Sequence, residues 1–166
     1  IDYVSDTFRN KPLHTVYIGG GTPTTLSAGQ LERLLSKIKD SFNFDHVVEY
    51  TVEAGRPDSI TTDKLMVLKE YGVSRISINP QTMNDETLEL IGRKHTTEQF
   101  IAAFYLARSC GFDNINMDCI IGLPEETFKD IENTMEKAYQ IQPDSITVHS
   151  LAIKRAARLN TFKEQY

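Results

Sequence analysis

Residues 14–24, HTVYIGGGTPT, join a short apolar strand to a glycine-rich turn and set a pattern that the rest of the chain repeats. The stretch from His14 to Ile18 is predicted to be a buried strand, and the three glycines after it end that strand. A helix is expected next, because Ser27 can cap it and apolar residues recur at helical spacing over 31–38. Strand, turn and helix in this order predict a parallel α/β unit.

The same alternation continues along the chain. Strands are predicted at His14–Ile18, Val47–Val52, Val73–Ile78, Ile115–Ile121 and Ser145–Leu151. Helices are expected after Ser27, from Thr61 or Thr62 to Tyr71, over Asp85–Ile91 and Thr97–Cys110, and through Phe128 to Ala138. Spacings of roughly 30 residues between strands suit βαβ units in a parallel sheet. An open doubly wound sheet and part of an α/β barrel both fit, since a closed eight-stranded barrel needs about 250 residues.

These units divide the chain into three parts. Residues 14–155 are predicted to form the α/β core, residues 1–13 a lead-in segment, and residues 156–166 a polar tail or the start of a further element. Because the first residue is Ile1 rather than Met, we expect the chain to begin at a cut.

Composition excludes several classes of protein. The 166 residues are 40% hydrophobic and 25% charged, which is typical of a globular domain. A net charge of −5 argues against a general nucleic-acid binder, although Lys154, Arg155 and Arg158 form a local basic group. No apolar run reaches the roughly 18 residues of a membrane-spanning helix. Cys110 and Cys119 form no metal-binding pair motif and are expected to be reduced, which favours a cytoplasmic location.

Polar residues follow the predicted strands, and all parallel strands end at one edge of their sheet. The candidates at this edge are Gly19, Gly20, Gly21, Thr22, Glu53, Asn79, Gln81, Asp118, His149 and Ala152. Glycines, acids and amides together predict a cleft for a polar ligand with amines and hydroxyls. Alternatively, the glycines only turn the chain, Glu53 and Asp118 form salt bridges, and Arg93 is a solvated side chain. Neither a Walker A lysine nor a dinucleotide fingerprint is present.

Five segments of the chain resemble a known family in order and spacing. They are VYIGGGTPT, YTVEAGRPDSIT, RISINPQTMNDETLELIGRKHT, NINMDCIIGLPEET and ITVHSLAIKRAARLN. Together they are similar to radical S-adenosylmethionine enzymes, specifically the oxygen-independent coproporphyrinogen III oxidase family, from about His14 to Asn160. The last segment most resembles the coproporphyrinogen dehydrogenase branch found in Gram-positive anaerobes.

The resemblance implies a partial (β/α)6 barrel and assigns contacts with S-adenosylmethionine to its edge. Those contacts fall on Gly20, Gly21, Thr22, Glu53, Gln81, Arg93, Asp118 and Ala152. The glycines would meet the methionine part through their backbone, and Ala152 would also use its backbone. Carboxylates and the Gln81 amide can bind ribose hydroxyls or the amino group, and Arg93 can pair with the methionine carboxylate.

Two departures from the family pattern matter. Asn79 and Pro80 replace the Gly-Val that usually precedes the glutamine at position 81. The first barrel strand, whose CxxxCxxC motif holds a 4Fe–4S cluster in the family, is missing, and Cys110 and Cys119 cannot replace three spaced ligands. The resemblance therefore implies a parent enzyme with S-adenosylmethionine and the cluster. This chain, as a fragment without metal ligands or catalytic residues, is expected to bind neither and to catalyse nothing.

For the parent, the resemblance implies radical oxidative decarboxylation. A 5′-deoxyadenosyl radical would remove hydrogen from the propionates of coproporphyrinogen III and leave vinyl groups, giving protoporphyrinogen IX. The expected partners are a porphyrinogen substrate and an electron donor, with no nucleic acid and no membrane span. The alternatives are a haem-transfer protein of the same superfamily, a radical enzyme with another substrate, and an unrelated barrel that binds phosphate with its glycine loop.

Overall fold

A single parallel sheet organises the computed structural model, which describes residues 1–8 and 11–152. Its strands are β1 (Thr15–Ile18), β2 (Glu49–Gly55), β3 (Arg75–Gln81), β4 (Ile115–Ile121) and β5 (Ser145–Ser150). They lie in the order β1-β2-β3-β4-β5, and every neighbouring pair is parallel. The predicted tail at 156–166 and the basic group of Lys154, Arg155 and Arg158 lie outside the described residues.

The strand order decides between the two architectures that the sequence allows. A doubly wound sheet reverses its strand order in the middle and carries helices on both faces. Here each strand is added beside the previous one. Right-handed crossovers then place every connecting helix on the same side of the sheet. The chain is a half-barrel of five β/α units, so the partial-barrel prediction is confirmed and the doubly wound alternative is wrong.

The helices begin and end close to the predicted positions. They are α1 (Asp2–Phe8), α2 (Ala28–Ser41), α3 (Thr62–Glu70), α4 (Asp85–Leu90), α5 (Thr97–Ser109) and α6 (Phe128–Ile141). Ser27 caps α2: its hydroxyl accepts a hydrogen bond from the Gln30 backbone N–H, and the Ser27 backbone N–H donates to Gln30 Oε1. Such reciprocal caps fix where a helix starts. Helix α1 lies in the lead-in segment, where the sequence predicted no element.

The hydrophobic core lies between the helices and the convex face of the sheet. Its fully buried side chains include Leu31, Leu35, Val52, Leu68, Ile76, Ile78, Phe100, Phe104, Ile115 and Met117. Each such side chain contributes roughly 1.5–3 kcal/mol relative to an exposed position. Among the described helices, none is long and apolar enough to cross a membrane.

Two bulges shape the carboxyl edge of the sheet. Strand β3 was predicted to stop before Asn79, but it continues through Pro80 to Gln81. Ile78 pairs with Met117 on β4, and Gln81 pairs with Cys119. The two positions are three residues apart on β3 but only two apart on β4, so β3 carries an extra residue there. Pro80, which has no N–H to donate, is tolerated inside the strand because the ladder is already interrupted. Strand β2 has a similar irregularity between Glu53 and Gly55.

Candidate functional site

The concave face of the sheet is polar, whereas its convex face is apolar. Glu53, Ser77, Asn116 and Ser145 lie opposite one another in register and form one row across β2 to β5. Because every connecting helix lies on the convex side, the crossovers leave the concave face without a covering helix. A row of polar side chains on one face therefore indicates a surface built for a polar ligand.

Side-chain hydrogen bonds join this row into one chain, which we call the inner-face network. It consists of Glu53, Ser77, Asn79, Asn116 and Ser145. Ser145 donates to Asn116 Oδ1 at 2.8 Å, and Asn116 Nδ2 donates to Ser77 Oγ at 3.0 Å. Ser77 then donates to Asn79 Oδ1 at 2.8 Å, and Asn79 Nδ2 donates to Glu53 Oε1 at 3.3 Å. The network thus runs from β5 to the carboxylate of Glu53, which lies beside the glycine loop.

Glu53 fastens the glycine loop to the sheet. Its Oε2 accepts a hydrogen bond from the Gly20 backbone N–H at 3.1 Å and one from the Tyr17 hydroxyl at 3.4 Å. A side chain at Gly19 would place its Cβ 2.2 Å from Tyr17 Cε1 and 2.9 Å from Glu53 Oε2. Burial raises the pKa of Tyr17, with a smaller contribution from the charge of Glu53. A side chain at position 19 would therefore displace the Tyr17 ring and the Glu53 carboxylate from these positions.

Open space lies above the next two glycines. Gly20 and Gly21 have positive φ angles of 79° and 46°, and a Cβ at either would meet no atom within 4 Å. The loop beyond them is anchored: the Thr24 hydroxyl donates to the Ala54 carbonyl at 2.7 Å. Thr22 packs its side chain over Gly55, whose added Cβ would lie 3.3 Å from Thr22 Cγ2. The loop is thus held rigidly while its backbone stays exposed toward the concave side.

Gln81 ends β3 in an unusual backbone conformation. Its φ angle is +71°, a region that non-glycine residues rarely adopt, and the residue is only 6% exposed. Within the described part of the chain its side-chain amide has no hydrogen-bond partner. Strained residues of this kind concentrate at functional sites. Gln81 pairs with Cys119 in the sheet, so it lies next to Asp118.

Asp118 and Ala152 complete the edge on the β4–β5 side. Asp118 is half-buried and accepts a hydrogen bond from Asn116 Nδ2 at 2.6 Å, which ties it to the inner-face network. Ala152 is exposed just beyond β5, where the Leu151 N–H donates to the Ile121 carbonyl at 2.9 Å.

Arg93 lies in a separate group of charges behind the end of β3. Burial lowers its pKa, and the neighbouring charge of Arg56 lowers it further, while Asp58 has the opposite effect. Arg56 contacts Asp58 with 3.4 Å between Nε and Oδ1. Burial also lowers the pKa of His95, whose Nε2 lies 3.3 Å from the Pro80 carbonyl. Arg93 thus belongs to this charge group, and it makes no described hydrogen bond to the other predicted site residues.

The structure brings most of the predicted residues to one edge of the sheet. Gly20 and Glu53 are in direct contact, and Asp118 joins them through the network. In the described residues, Glu53 and Asp118 accept hydrogen bonds rather than form the salt bridges considered as an alternative. The sequence analysis missed Ser77 and Asn116. Polar residues at every second position of β3, β4 and β5 were the signal that could have revealed them.

The donor set at this edge fits S-adenosylmethionine. That molecule presents a carboxylate, an amino group and ribose hydroxyls. Asp118 and Gln81 offer suitable polar atoms at this edge, and the open backbone at Gly20 and Gly21 leaves room for its chain. Arg93, in the separate charge group, carries the guanidinium that suits a carboxylate. The set does not fit an iron–sulfur cluster. Cys119 is 1% exposed with a pKa that burial raises to about 12, and no group of three metal-ligating side chains occurs within residues 1–8 and 11–152.

Comparison with known proteins places the chain in a family. Residues 1–138 match the radical SAM superfamily. The oxygen-independent coproporphyrinogen-III oxidase-like protein HemZ of Bacillus subtilis is 46% identical, over 92% of this chain and 30% of HemZ. The heme chaperone HemW of Bacillus subtilis is 40% identical, over 86% of this chain and 38% of HemW.

A solved structure agrees with these sequence matches. The coproporphyrinogen III oxidase HemN from Escherichia coli, a radical SAM enzyme, superimposes with a TM-score of 0.83 at 30% identity, covering 91% of this chain and 35% of HemN. The chain spans about a third of the length of the curated relatives it matches. Both the half-barrel fold and the match over residues 1–138 lead to one conclusion: the chain belongs to the radical SAM superfamily.

Proposed function

We propose that this chain supplies the S-adenosylmethionine-binding half of a radical SAM barrel. The observation that carries the proposal is the glycine loop: Glu53 holds it at Gly20 while the backbone of Gly20 and Gly21 faces open space. A loop segment without side chains lets its backbone approach a ligand closely. The Gly20 N–H is already donated to Glu53, so the ligand would meet the rest of the Gly20 and Gly21 backbone.

Each residue at the edge has a proposed task. Gly20, Gly21 and Thr22 line the methionine part, and Glu53 keeps their loop in place through its hydrogen bond with Gly20. Gln81 and Asp118 offer polar atoms to the ribose or the amino group, and Ala152 contributes backbone. Arg93 pairs with the carboxylate, for which its planar guanidinium is suited. When bound, S-adenosylmethionine supplies a group that removes hydrogen from a substrate.

For the whole protein we propose oxidation of coproporphyrinogen III, in which propionate side chains lose carbon dioxide and become vinyl groups. The names of the relatives support this: HemZ is oxidase-like, and the structural neighbour HemN is a coproporphyrinogen III oxidase. The porphyrinogen substrate, the electron donor and the 4Fe–4S cluster belong to this proposal. The residues of this chain would orient the cofactor and keep water from it.

A second candidate is a haem chaperone. The observation in its favour is the 40% identity with the heme chaperone HemW, which is close to the 46% identity with HemZ. In that case the same edge would bind S-adenosylmethionine, but the whole protein would bind and transfer haem without decarboxylating a porphyrinogen.

Two measurements on the full-length protein test these proposals. After anaerobic reconstitution we expect about four iron and four acid-labile sulfide ions per chain. Incubation with coproporphyrinogen III, S-adenosylmethionine and a reductant should then release carbon dioxide and give protoporphyrinogen IX. Stable haem capture without carbon dioxide release would favour the chaperone, and absence of iron would contradict both. The isolated residues 1–166 serve as the negative control, and turnover by them would contradict the fragment interpretation.

A further inference from the structure

The strained backbone of Gln81 is held from both sides by side chains. A non-glycine residue with a φ angle of +71° at the end of a strand persists only where the surroundings impose it. Because the extra residue in β3 interrupts the ladder between Ile78 and Gln81, regular sheet bonding does not supply the constraint there. Besides the pairing of Gln81 with Cys119, the contacts of the flanking residues Pro80 and Thr82 supply the constraint.

On the amino-terminal side, His95 holds the Pro80 carbonyl. The ring of His95 is 3% exposed, and its Nε2 lies 3.3 Å from the carbonyl oxygen. Because a carbonyl oxygen can only accept, Nε2 is the donor in this contact. Its Nδ1 is buried without a hydrogen-bond partner, which leaves the contact with Pro80 as the one directional bond of this imidazole within the described residues.

On the carboxyl-terminal side, three consecutive residues are fastened to α6 and to the loop before it. The Thr82 hydroxyl donates to Glu126 Oε1, and Thr134 Oγ1 accepts from the Met83 backbone N–H at 3.1 Å. Lys137 Nζ donates to the Met83 carbonyl at 2.9 Å. One residue further on, Asn84 Nδ2 donates to Asp130 Oδ1 at 3.1 Å.

The contacts of Thr134 with the segment after Gln81 are buried, and Thr134 belongs to helix α6. Thr82, Met83 and Thr134 are 1%, 3% and 4% exposed, so water cannot easily replace the bonds between them. Thr134 lies in the middle of α6, a helix of 14 residues, and therefore cannot follow Met83 without moving the helix. Together with His95, these residues hold the backbone on both sides of Gln81.

We propose that Thr134, Glu126 and His95 are positioning residues that aim the Gln81 amide at bound S-adenosylmethionine. This inference rests on the proposed function, and it adds residues that touch the ligand only through Gln81. It predicts that loosening the segment after Gln81 weakens ligand binding even though the altered side chains, Thr134 and Glu126, contact this segment and not the ligand.

The test is a double-mutant cycle on the full-length protein, read out as the Kd for S-adenosyl-L-homocysteine, which keeps the amino, carboxylate and ribose groups and is not consumed. Q81A should weaken binding about tenfold, the effect of one lost hydrogen bond of ordinary strength. T134V should weaken it about three- to tenfold, whereas T134S, which keeps the hydroxyl, should bind like the wild type. In the Q81A background, T134V should have no further effect.

A second pair keeps the test informative if T134V does not fold. Glu126 is half-buried, and E126Q retains an oxygen that can accept the Thr82 hydroxyl, whereas E126A does not. We expect E126A to weaken binding and E126Q to leave it within about twofold. Hydrogen exchange at the Met83 amide should be faster in T134V than in T134S, which shows that the clamp itself was loosened.

The outcomes separate the inference from the proposed function. Failure of the wild-type protein to bind the probe would overturn the S-adenosylmethionine site itself, and the inference with it. If the wild type binds, then an unchanged Kd in Q81A, or an equal loss from T134V with and without Gln81, would overturn the positioning role alone. The positioning role is supported if T134V and E126A weaken binding of the probe in the wild-type background but not in the Q81A background.

Discussion

Asn116 is the centre of the inner-face network, and changing it to aspartate tests whether the network stabilises the sheet. All four of its hydrogen-bonding positions are used. Nδ2 donates to Ser77 and to Asp118, and Oδ1 accepts from Ser145 at 2.8 Å and from Thr147 at 3.1 Å. N116D keeps the shape and the two accepted bonds, but it turns the donor group into an acceptor and places a second carboxylate about 2.6 Å from Asp118 Oδ1.

The expected loss of stability follows from those contacts. Each lost hydrogen bond costs about 0.5–1.5 kcal/mol, and one to a charged group about 1.5–3 kcal/mol. Asn116 is 3% exposed, so water cannot fully replace its bonds or screen the repulsion with Asp118. We expect N116D to lower the free energy of unfolding by about 3–5 kcal/mol at pH 7, measured by urea denaturation followed by circular dichroism.

A second substitution exchanges the donor and the acceptor of the hydrogen bond between residues 116 and 118. In N116D/D118N, an amide at position 118 can donate to the new carboxylate at 116, so at least half of the lost stability should return. Asn43→Asp is the matched control, because Asn43 is exposed and its Oδ1, which accepts from the Asp45 N–H, is kept. It should change stability by less than about 0.5 kcal/mol. An N116D protein within about 1 kcal/mol of the wild type, or a double variant no more stable than N116D, would refute the reasoning.

Three further predictions concern single contacts. G19A should lower the affinity for S-adenosyl-L-homocysteine because its Cβ would lie 2.2 Å from the Tyr17 ring, and Y17A/G19A should restore part of that affinity in the same titration calorimetry. Burial raises the pKa of Glu126 above its ordinary value of 4.5, so the stability it contributes in its protonated form is lost as the pH rises through the raised pKa. E126Q does not ionise and should not lose this stability. The difference between the urea midpoints of E126Q and the wild type should therefore grow from about pH 4 to about pH 8. A difference that does not change with pH would contradict the burial effect. Cys119 is 1% exposed and has a pKa of about 12, so it should react with a thiol reagent at pH 8 only after unfolding, whereas half-buried Cys110 should react in the native protein. Mass spectrometry measures the labelling of each cysteine, and labelling of Cys119 before unfolding would contradict this prediction.

The local elements of the fold could be predicted because their causes are local. Ser27 and Gln30 lie within one turn of each other and fix the start of α2. The strands β1 to β5 were recognised from short runs of apolar and β-branched residues. The half-barrel could not be chosen over an open sheet from these signals, because strand order depends on contacts between residues far apart in the sequence. The five ordered segments of the resemblance supplied that missing information.

The extension of β3 shows where a local rule was misleading. Pro80 lacks a backbone donor, which ordinarily argues against the interior of a strand. In the folded chain the extra residue between Ile78 and Gln81 removes the need for that donor, and His95 supplies a bond to the Pro80 carbonyl instead. His95 lies fifteen residues away in sequence, so no reading of the strand alone could have anticipated the compensation.

The half-buried carboxylates of Glu53 and Asp118 were predicted as site residues, with salt bridges as the alternative, and in the described residues they accept hydrogen bonds from neutral donors. A cation beside Glu53 or Asp118 would compete with a ligand that brings its own positive amino group. Amide and hydroxyl donors stabilise the carboxylates at a smaller electrostatic cost and leave their charge in place. Asn79 and Asn116 provide such donors from neighbouring positions on β3 and β4. Two carboxylates that keep their negative charge, one of them bonded to the glycine loop, can bind a ligand with a positive amino group. The arrangement therefore favours a ligand-binding role for this edge over a purely structural one.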